Sequence, residues 1–347
     1  MACRFLPCTT LLSFGPSLAS ASSPNAQSTC SDSGKPYFFT ICAVFKNEAI
    51  NIHEWVSHYL LEGADHIFLV DNDSDDDFTA VVQPFIDRGQ VTLLVNRKHH
   101  AQMDILSNYI LPIANVTEWM LNVDLDELVY AKHGSTSETL RKIPCSIASI
   151  EMPWKMYGSA GHKQHPTGSL VKNFLKRSNS TSPNQKAFFR SSMTQKILIH
   201  SAEVHGEILT LSPGEECINK GCTKAVHAEY ISSPDVLQLN HYPIQSLQWF
   251  VNTKMSRGDV NTGAAENVRT FGYFDSYDAA SNDIEDSALY LKHKHFFDSL
   301  WKRSSWVIQH IQLWVSLVRM FSQVFALHQI LHWDVVWSWL QVVTHIN

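Results

Sequence analysis

The chain has 347 residues, of which 44% are hydrophobic and 17% charged, so it is long enough to bury a substantial core. Its 27 basic and 33 acidic residues give a formal net charge of -6. This balance argues against a nucleic-acid partner held through its phosphates. The 7 cysteines form no Cys-x-x-Cys pair, so we expect no structural zinc site, although Cys217 and Cys222 are close enough in sequence to form a disulfide.

The first 34 residues have the composition of a leader segment. No residue from Phe5 to Ser31 is charged, and an apolar stretch precedes the small residues 19–22, which resembles a secretory signal. A Ser-rich transit peptide or a disordered leader fits equally well. Asn115 and Asn179 also stand in Asn-x-Thr glycosylation patterns, which arise often by chance. The compartment therefore stays open, with the secretory pathway, the Golgi or a membrane surface favoured over the cytoplasm.

Strands and helices alternate along the body of the chain. Short β-rich apolar runs predict strands over Tyr37–Phe45, His66–Val70, Val91–Val95 and Trp119–Val123. Apolar residues at helical spacing predict helices over Glu48–Leu61, Phe78–Ile86 and Gln102–Ile113. This order predicts an α/β fold with a mostly parallel sheet flanked by helices.

Polar residues follow three of these strands. They are Lys46-Asn47-Glu48, Asp71-Asn72-Asp73-Ser74-Asp75 and Asp124-Leu125-Asp126. Ligands bind at the carboxyl ends of strands in α/β sheets, so we expect the three groups to meet at one site. Each group taken singly also suits ordinary helix capping, but together they favour a binding site.

The two aspartates of the third group are candidate metal ligands. Alternate side chains share a face on an extended segment, so Asp124 and Asp126 are expected to point together into the crevice. Carboxylate oxygens suit magnesium or manganese. We therefore predict that this pair holds a divalent cation.

The ordered motifs resemble glycosyltransferase family 92 and its relatives in the family 2-like group. The resemblance runs from about Tyr37 to Gly258 and includes Phe45-Lys46-Asn47-Glu48, Glu54-Trp55-Val56-x-His58-Tyr59, Asp71-Asn72-x-Ser74-x-Asp76, Asp124-Leu125-Asp126-Glu127, Trp154-x-x-Tyr157-Gly158-Ser159-x-Gly161-His162 and His241-Tyr242. It implies a GT-A-like (Rossmann-like) fold, a nucleotide-sugar donor, and a divalent metal, usually manganese, held by the Asp-x-Asp (DxD) motif. Leu128 departs from the aromatic residue that the family usually has there.

The resemblance and the chemistry together assign the remaining site residues. We expect His241, at the end of a strand over 236–240, to be the third metal ligand, with His205 as its rival. Candidates for the base that activates the acceptor are His205 and His162, with Glu151 and Glu203 behind them. Donor binding is assigned to Lys46, Asn47, Glu48, Asp71, Asn72, Ser74, Lys254 and Arg257.

Several of these residues also have ordinary structural interpretations. For Arg257 a solvated helix face is the favoured interpretation. Core packing is favoured for Trp55, with His58 anchoring that packing by a hydrogen bond. Small residues in the loop 158–161 allow the backbone to approach a sugar closely, and a tight turn explains them as well.

We divide the chain into a leader (1–34), a GT-A-like domain (35–260), and a linker with an amphipathic helical tail (261–347). The apolar stretch Trp306–Val343 is interrupted by Arg319 and Asp334, so its pieces are shorter than a membrane-spanning helix needs. We expect this tail to pack on the domain or to lie on a membrane surface.

The predicted activity is metal-dependent transfer of a sugar from a nucleotide-sugar donor to a saccharide or glycoconjugate acceptor. Galactose from a uridine-diphosphate donor, transferred with inversion, is the expectation taken from the family. The alternatives are a nucleotidyltransferase or phosphatase, and an inactive carbohydrate-binding or membrane-associated scaffold with the same fold.

Overall fold

The computed structural model describes residues 34–98, 101–211, 236–257 and 269–300. The predicted leader, the cysteine pair Cys217 and Cys222, and the tail Trp306–Val343 lie outside these residues. Among the helices that the structure describes, none combines the length and the apolar character needed to cross a bilayer.

The first half of the chain forms the parallel part of the sheet. The strands β1 (Tyr37–Phe45), β2 (His66–Asp71), β3 (Val91–Val95) and β4 (Thr117–Asn122) lie in the order β3-β2-β1-β4, and all three pairings are parallel. Helices α1 (Ala49–Leu61) and α2 (Phe78–Asp87) connect the first three strands. The four predicted strands and their parallel arrangement are therefore confirmed.

The third predicted helix is present but irregular. It consists of α3 (Gln102–Ile105), a π-helical turn (Leu106–Ile110), α4 (Leu111–Ile113) and a 3-10 turn (Ala114–Val116). Ile105, Leu106 and Ile110 of this segment are buried against the face of the sheet that carries Phe68 and Met120.

The second half of the chain adds a mixed part to the same sheet. Its strands are β5 (Glu127–Ala131), β6 (Ile147–Met156), β8 (Gln185–Arg190), β11 (Glu207–Thr210) and β12 (Leu237–His241). Strand β8 is antiparallel to both β4 and β6, whereas β12 is parallel to β6 and antiparallel to β5. Within this nine-stranded sheet the parallel pairings outnumber the antiparallel ones, so the predicted α/β class with a mostly parallel sheet is confirmed.

Shorter elements complete the described chain. They are α5 (Thr136–Leu140), α6 (Leu170–Asn173), β7 (Lys176–Arg177), a 3-10 turn (Ser191–Met193), β9 (Thr194–Ile197), β10 (Ala202–Val204), α7 (Leu247–Trp249), a π-helical turn (Phe250–Met255), α8 (Phe271–Ala280), β13 (Ile284–Glu285) and α9 (Ala288–Lys292). Strands β9 and β10 form a separate hairpin, and β13 pairs with β7.

Helix α1 supplies much of the main core. Its residues Ile52, Trp55, Val56 and Tyr59 are buried together, as their helical spacing predicts. His58 on the same helix is also buried, and its Nε2 lies 2.7 Å from the Val129 carbonyl oxygen of β5. Burial lowers the pKa of His58 to about 4, so a neutral imidazole donates this bond at neutral pH.

Residues 269–300 pack against the domain, although the sequence places them after its boundary at 260. Leu289, Phe297 and Leu300 belong to the main core cluster. Asp286 pairs with Arg177 at 2.7 Å. Glu62, at the end of α1, bonds Lys292 and lies 2.7 Å from His293 Nε2. This segment therefore contributes side chains to the main core.

Helix α9 offers a matched test of this packing. Leu289 is 1% exposed and Leu291 is 61% exposed. We expect Leu289→Ala to lower the free energy of unfolding by about 2–5 kcal/mol because it removes buried methyl groups, whereas Leu291→Ala should change it by less than about 0.5 kcal/mol. Urea denaturation of the two variants measures the difference, and equal effects would contradict the docked position of α9.

Candidate active site

The Asp-x-Asp motif lies on a tight turn. Strand β4 ends at Asn122 and β5 begins at Glu127, whose N–H donates to the Asp124 carbonyl oxygen at 3.0 Å. The motif is therefore not on the extended segment that the sequence suggested, and alternation along a strand does not orient its side chains. The turn does project from the carboxyl end of β4, as predicted.

Buried side chains of α1 hold this turn in place. The Trp55 indole N–H donates to the carbonyl oxygens of Asp124 at 3.0 Å and Glu127 at 3.1 Å. The Tyr59 hydroxyl donates to the Glu127 carbonyl oxygen at 3.0 Å. Trp55 thus packs in the core, as the sequence favours, and it also fixes the backbone that carries the acidic residues.

Asp126 is a buried carboxylate with a cationic partner. Its Oδ2 lies 2.5 Å from Lys254 Nζ, and its Oδ1 lies 3.7 Å from His241 Nε2. Burial opposes ionisation, but the charge of Lys254 outweighs it and holds the pKa of Asp126 well below its usual range. The carboxylate is therefore charged at neutral pH.

His241 stands beside Asp126 at the end of β12. Its register partner on β5 is Glu127, and its ring centroid lies 4.3 Å from that of Trp154. Burial lowers the pKa of His241 to about 4, so the imidazole is neutral at neutral pH. Its Nδ1 is buried and has no hydrogen-bond partner. A neutral imidazole is the form that binds metals.

Asp124 is held by a second lysine, Lys186, which the sequence analysis missed. Lys186 is fully buried on β8, and its Nζ lies 3.2 Å from Asp124 Oδ2, 3.5 Å from Glu127 Oε2 and 3.0 Å from the Ile199 carbonyl oxygen. Burial lowers the pKa of a lysine, but Asp124 and Glu127 outweigh this effect and raise the pKa of Lys186. The only feature of the sequence that could have identified Lys186 is its position inside the β-rich run 185–190.

The donor atoms of these residues are of the types that bind divalent cations, but two lysines already hold the carboxylates. Carboxylates and a neutral imidazole are donor types that manganese or magnesium accepts, and the His241 nitrogen that faces Asp126 is Nε2, at 3.7 Å from Oδ1. However, Lys186 and Lys254 each hold one of the carboxylates. Across the described ranges no three acidic, His or Cys side chains are grouped closely enough to hold a metal. The assignment of Asp124, Asp126 and His241 as metal ligands stays a prediction.

The polar groups after β1 and β2 lie side by side. The Asn47 N–H donates to Ser74 Oγ at 3.0 Å, and the Asp75 N–H donates to Asn47 Oδ1 at 2.9 Å. The Ser74 N–H donates to Asp71 Oδ1 at 2.8 Å. Asn47 has a φ of 56 degrees, a left-handed conformation that asparagine tolerates. The two predicted donor-binding groups therefore form one continuous rim.

Other predicted donor-binding side chains are tied into this rim. Lys46 Nζ lies 3.6 Å from Asp73. The Asn72 side chain donates to the carbonyl oxygens of Asn96 at 3.0 Å and Lys98 at 2.8 Å. The structure thus brings the predicted donor-binding residues together, and their role in donor binding stays a prediction.

Arg257 joins the rim to the element that carries Lys254. Its Nη1 lies 2.7 Å from Glu48 Oε1 and also bonds the Lys46 carbonyl oxygen. The Arg257 side chain is only 14% exposed, so the interpretation as a solvated helix face is wrong. Glu48 and Lys254 both interact electrostatically with Asp126, which places the first rim group beside the acidic turn.

The two predicted catalytic histidines lie in different places. His205 is exposed beside the β9–β10 hairpin, where its N–H donates to the Met193 carbonyl oxygen at 2.7 Å and its ring contacts Gln195. Its described contacts do not include the acidic turn. His162 is half-buried, and its carbonyl oxygen accepts from the Leu247 N–H at 3.1 Å, at the start of the helical segment that leads to Lys254.

The two acidic alternatives are also engaged elsewhere. Glu151 Oε2 accepts from the Thr210 hydroxyl at 3.2 Å, and Glu203 pairs with Lys196 at 3.4 Å. Glu203 lies on the same hairpin as His205. Neither contact involves the acidic turn, and the identity of the base stays a prediction.

The glycine-containing loop packs against α8. A Cβ built at Gly158 would lie 2.6 Å from the Ser281 carbonyl oxygen and from the Asn282 amide. The Ser159 N–H donates to Asp278 Oδ1 at 2.7 Å, and the Ala160 N–H donates to Asn282 Oδ1 at 3.0 Å. Close approach of protein to protein therefore explains the glycine without a sugar.

The mixed sheet and its rim of polar strand ends define an α/β protein with a polar site beside an acidic turn. The family model for glycosyltransferase family 92 matches residues 35–233, which is more than half of the chain. The chain belongs to this family, and the predicted resemblance is confirmed.

Known relatives resemble parts of the chain. A glycosyltransferase family 92 protein from Ricinus communis is 24% identical over 148 residues, which cover 41% of this chain and 27% of that protein. The chain therefore matches about a quarter of the length of this curated relative.

Two solved structures resemble part of this chain. The mannosyltransferase PcManGT from Pyrobaculum calidifontis, in complex with GDP-Man and Mn2+, is 17% identical with a TM-score of 0.28, covering 37% of this chain and 39% of that one. TarS 1-349 from S. aureus, in complex with UDP, is 17% identical with a TM-score of 0.32, covering 45% of this chain and 47% of that one.

The buried His241 predicts a pH-dependent contribution to stability. A histidine of the unfolded chain titrates near 6.5, whereas the pKa of His241 is about 4, so the unfolded state binds more protons between these values. The stability that neutral His241 contributes is complete above pH 6.5 and is lost as the pH falls towards 4. His241→Gln should remove this dependence.

The measurement is the free energy of unfolding from pH 4 to 7.5, in a chelator, for the wild type and His241→Gln. The difference between the two proteins should grow with pH up to about 6.5 and then level off. Leu291→Ala, at an exposed leucine that does not titrate, is the control, and its curve should run parallel to the wild type. A constant difference for His241→Gln would contradict the buried neutral imidazole.

Proposed function

We propose that this protein is a glycosyltransferase that uses a divalent cation, manganese or magnesium, to transfer a sugar from a nucleotide-sugar donor to a saccharide or glycoconjugate acceptor. Membership of glycosyltransferase family 92 supports the reaction class. The observation that carries the proposal is the ionised, buried Asp126 at the strand-end rim, with the neutral His241 on one side and Lys254 on the other.

The chemistry of sugar transfer explains why charged groups gather here. Breaking the bond between the anomeric carbon and a nucleoside diphosphate leaves negative charge on the departing phosphate. A bound cation would stabilise that growing charge, and Asp124, Asp126 and His241 are the residues that we propose to hold it. Lys254 supplies a further positive charge within reach of the same crevice.

The rim residues are proposed to bind the rest of the donor. Lys46 is half-buried, and its ammonium group is suited to phosphate. Asn47, Asp71, Asn72 and Ser74 carry hydrogen-bonding groups suited to ribose or a nucleobase. Glu48 and Arg257 bond each other, so we propose that they hold the rim closed around the donor.

The acceptor side of the proposal rests on His162. Its backbone carbonyl oxygen bonds the first residue of the helical segment that leads to Lys254, and its ring Nε2 lies 3.2 Å from the Asn173 carbonyl oxygen, whereas His205 lies beside a separate hairpin. We therefore place His162 ahead of His205 as the base that takes the proton of the attacking hydroxyl. Galactose as the transferred sugar and inversion at the anomeric carbon are carried over from the family.

We also propose that the protein works in the secretory pathway or the Golgi. Cys145 is disulfide-bonded, and structural disulfides persist mainly in oxidising compartments. The two glycosylation-pattern residues Asn115 and Asn179 are both exposed. Association of the C-terminal tail with a membrane surface is part of the same proposal.

Asp126→Asn tests the proposed activity with almost no change in shape. We expect it to lower donor turnover by about 100-fold or more, because it removes a charge that the reaction uses. The assay is hydrolysis and transfer from a panel of nucleotide sugars with manganese present, and circular dichroism checks the fold.

Asp87→Asn is the matched control for that assay. Asp87 is exposed at the end of α2, at the edge of the sheet opposite the site, and its variant should keep wild-type turnover. Full activity of Asp126→Asn would remove this aspartate from the mechanism. A wild-type protein inactive on every nucleotide sugar would favour the carbohydrate-binding scaffold.

Expression of the full chain in a eukaryotic host tests the proposed compartment. We expect a mass decrease on treatment with peptide N-glycosidase, with the modified residues mapped to Asn115 and Asn179, because both are accessible. Cys145 should resist alkylation before reduction. Unmodified asparagines together with a free Cys145 thiol would contradict passage through the secretory pathway.

A further inference from the structure

The tip of the β9–β10 hairpin is tied to the acidic turn through Lys186. The Leu198 N–H donates to the Ser201 carbonyl oxygen at 2.9 Å and closes the hairpin turn. Within that turn the Ile199 carbonyl oxygen accepts from Lys186 Nζ at 3.0 Å, and the same ammonium group lies 3.2 Å from Asp124 Oδ2. One buried lysine therefore holds the hairpin tip at the site.

The next residue in this turn, His200, is exposed. Partial burial of its ring lowers the pKa of His200, and a hydrogen bond between the ring and the Gln185 backbone opposes this effect. A bond that favours the protonated ring is one in which the ring N–H donates to the carbonyl oxygen. The imidazole is therefore neutral at neutral pH, with one nitrogen donating to Gln185 and the second nitrogen acting as a hydrogen-bond acceptor.

His200 is one of three neighbouring rings that border the acidic turn. The Trp154 ring centroid lies 5.2 Å from that of His200, in an edge-on arrangement, and 4.3 Å from that of His241. The charges of Lys186 and Asp124 both influence the pKa of His200, so its ring is within electrostatic reach of the turn. Binding sites commonly combine such aromatic walls with a few placed polar groups.

The order of strands places His200 on the far side of the acidic turn from the donor rim. The sheet runs β3-β2-β1-β4-β8-β6-β12-β5. The rim groups follow β1 and β2, and the acidic turn follows β4. Strand β8 is antiparallel to β4, so its first residue, Gln185, lies at the edge where β4 ends, and Trp154 lies on the adjacent strand β6. Because His200 contacts both residues, the acidic turn lies between it and the rim.

We propose that His200 is an acceptor-binding residue, whose second ring nitrogen accepts a hydrogen bond from a hydroxyl group of the acceptor saccharide. This inference rests on the proposed function, because it takes the nucleoside to lie at the rim and the diphosphate at the acidic turn. It adds a contact with the acceptor, made by a residue that the proposed function does not use.

The course of the reaction explains why the acceptor belongs on this side. The acceptor oxygen forms its bond to the anomeric carbon as the bond from that carbon to the diphosphate breaks, and with inversion the two oxygens lie on opposite faces of the carbon. A nucleoside over β1 and β2, with its diphosphate at the acidic turn, leaves the side of β8 and β6 for the incoming saccharide. His200 stands on that side and is exposed to it.

The test compares the two substrates of one variant. His200→Phe keeps a ring beside Trp154 and removes both nitrogens. Transfer by the full chain from UDP-galactose, with manganese present, is measured to the methyl glycosides of galactose, glucose, mannose and N-acetylglucosamine. We expect His200→Phe to raise the KM for the accepted glycoside by about 5-fold or more, the effect of one lost hydrogen bond, and to leave the KM for UDP-galactose within about 2-fold of the wild-type value.

Two further variants make the result specific. His200→Gln keeps one donor and one acceptor and should restore most of the affinity for the glycoside. His133→Phe makes the same change at an exposed histidine beyond the far end of β5, and both of its KM values should match the wild type. Circular dichroism checks that each variant is folded.

Nuclear magnetic resonance of the histidine rings gives a second readout that needs no turnover. The His200 signals, identified by their loss in His200→Phe, should shift when a glycoside is added in the presence of UDP, and the His133 signals should not. Unshifted His200 signals with all four glycosides would overturn the proposal, as would a KM that rises for UDP-galactose instead of the glycoside. Failure of the proposed function is a separate result, seen as absent turnover of nucleotide sugars while the His200 signals still shift.

Discussion

The burial of negative charge in the turn between β4 and β5 is the constraint on which this structure depends. Asp124 and Asp126 lie two positions apart, and nearby lysines hold the pKa of both below the usual range, whereas burial raises the pKa of Glu127. Removing one partner of a buried ion pair typically costs about 3–5 kcal/mol. Lys186 and Lys254, which reach the turn from β8 and from the segment after β12, therefore stabilise it. Strands β8 and β12, in the mixed part of the sheet, place these two lysines at the turn.

The site also contains polar atoms that the protein itself leaves without partners. Among the described residues, the buried His241 Nδ1, Trp154 Nε1 and Trp249 Nε1 have no hydrogen-bond partner, and neither do the two amide atoms of Gln245. Each such group costs roughly 1–3 kcal/mol. These atoms and the acidic turn belong to the same stretch of structure, because His241, Gln245 and Trp249 follow one another around the end of β12.

The parts of the fold that the sequence could predict are those set by local pattern. The four parallel strands follow from short apolar runs, and the burial of Trp55 and His58 follows from helical spacing. The position of Asp126 at a strand end follows from the order of strands and helices. Each of these depends on residues that are close together in the chain.

The parts that the sequence could not predict depend on distant pairs. Lys186 is 62 positions from Asp124, and Lys254 is 128 positions from Asp126, so no local period records either contact. The packing of residues 269–300 was missed for a related reason. Helix α8 has few buried residues of its own, and Asp278 and Asn282 fix the loop at Gly158 through polar bonds to its backbone. Hydrophobic pattern carries no trace of such bonds.

The end of the family match has a consequence for how the domain is delimited. The match stops at residue 233, and β12 begins at Leu237. A fragment cut at that border would keep Asp126 but lose His241, Lys254 and the strand that lies between β5 and β6. The sequence similarity to the family therefore ends before the last strand of the folded sheet.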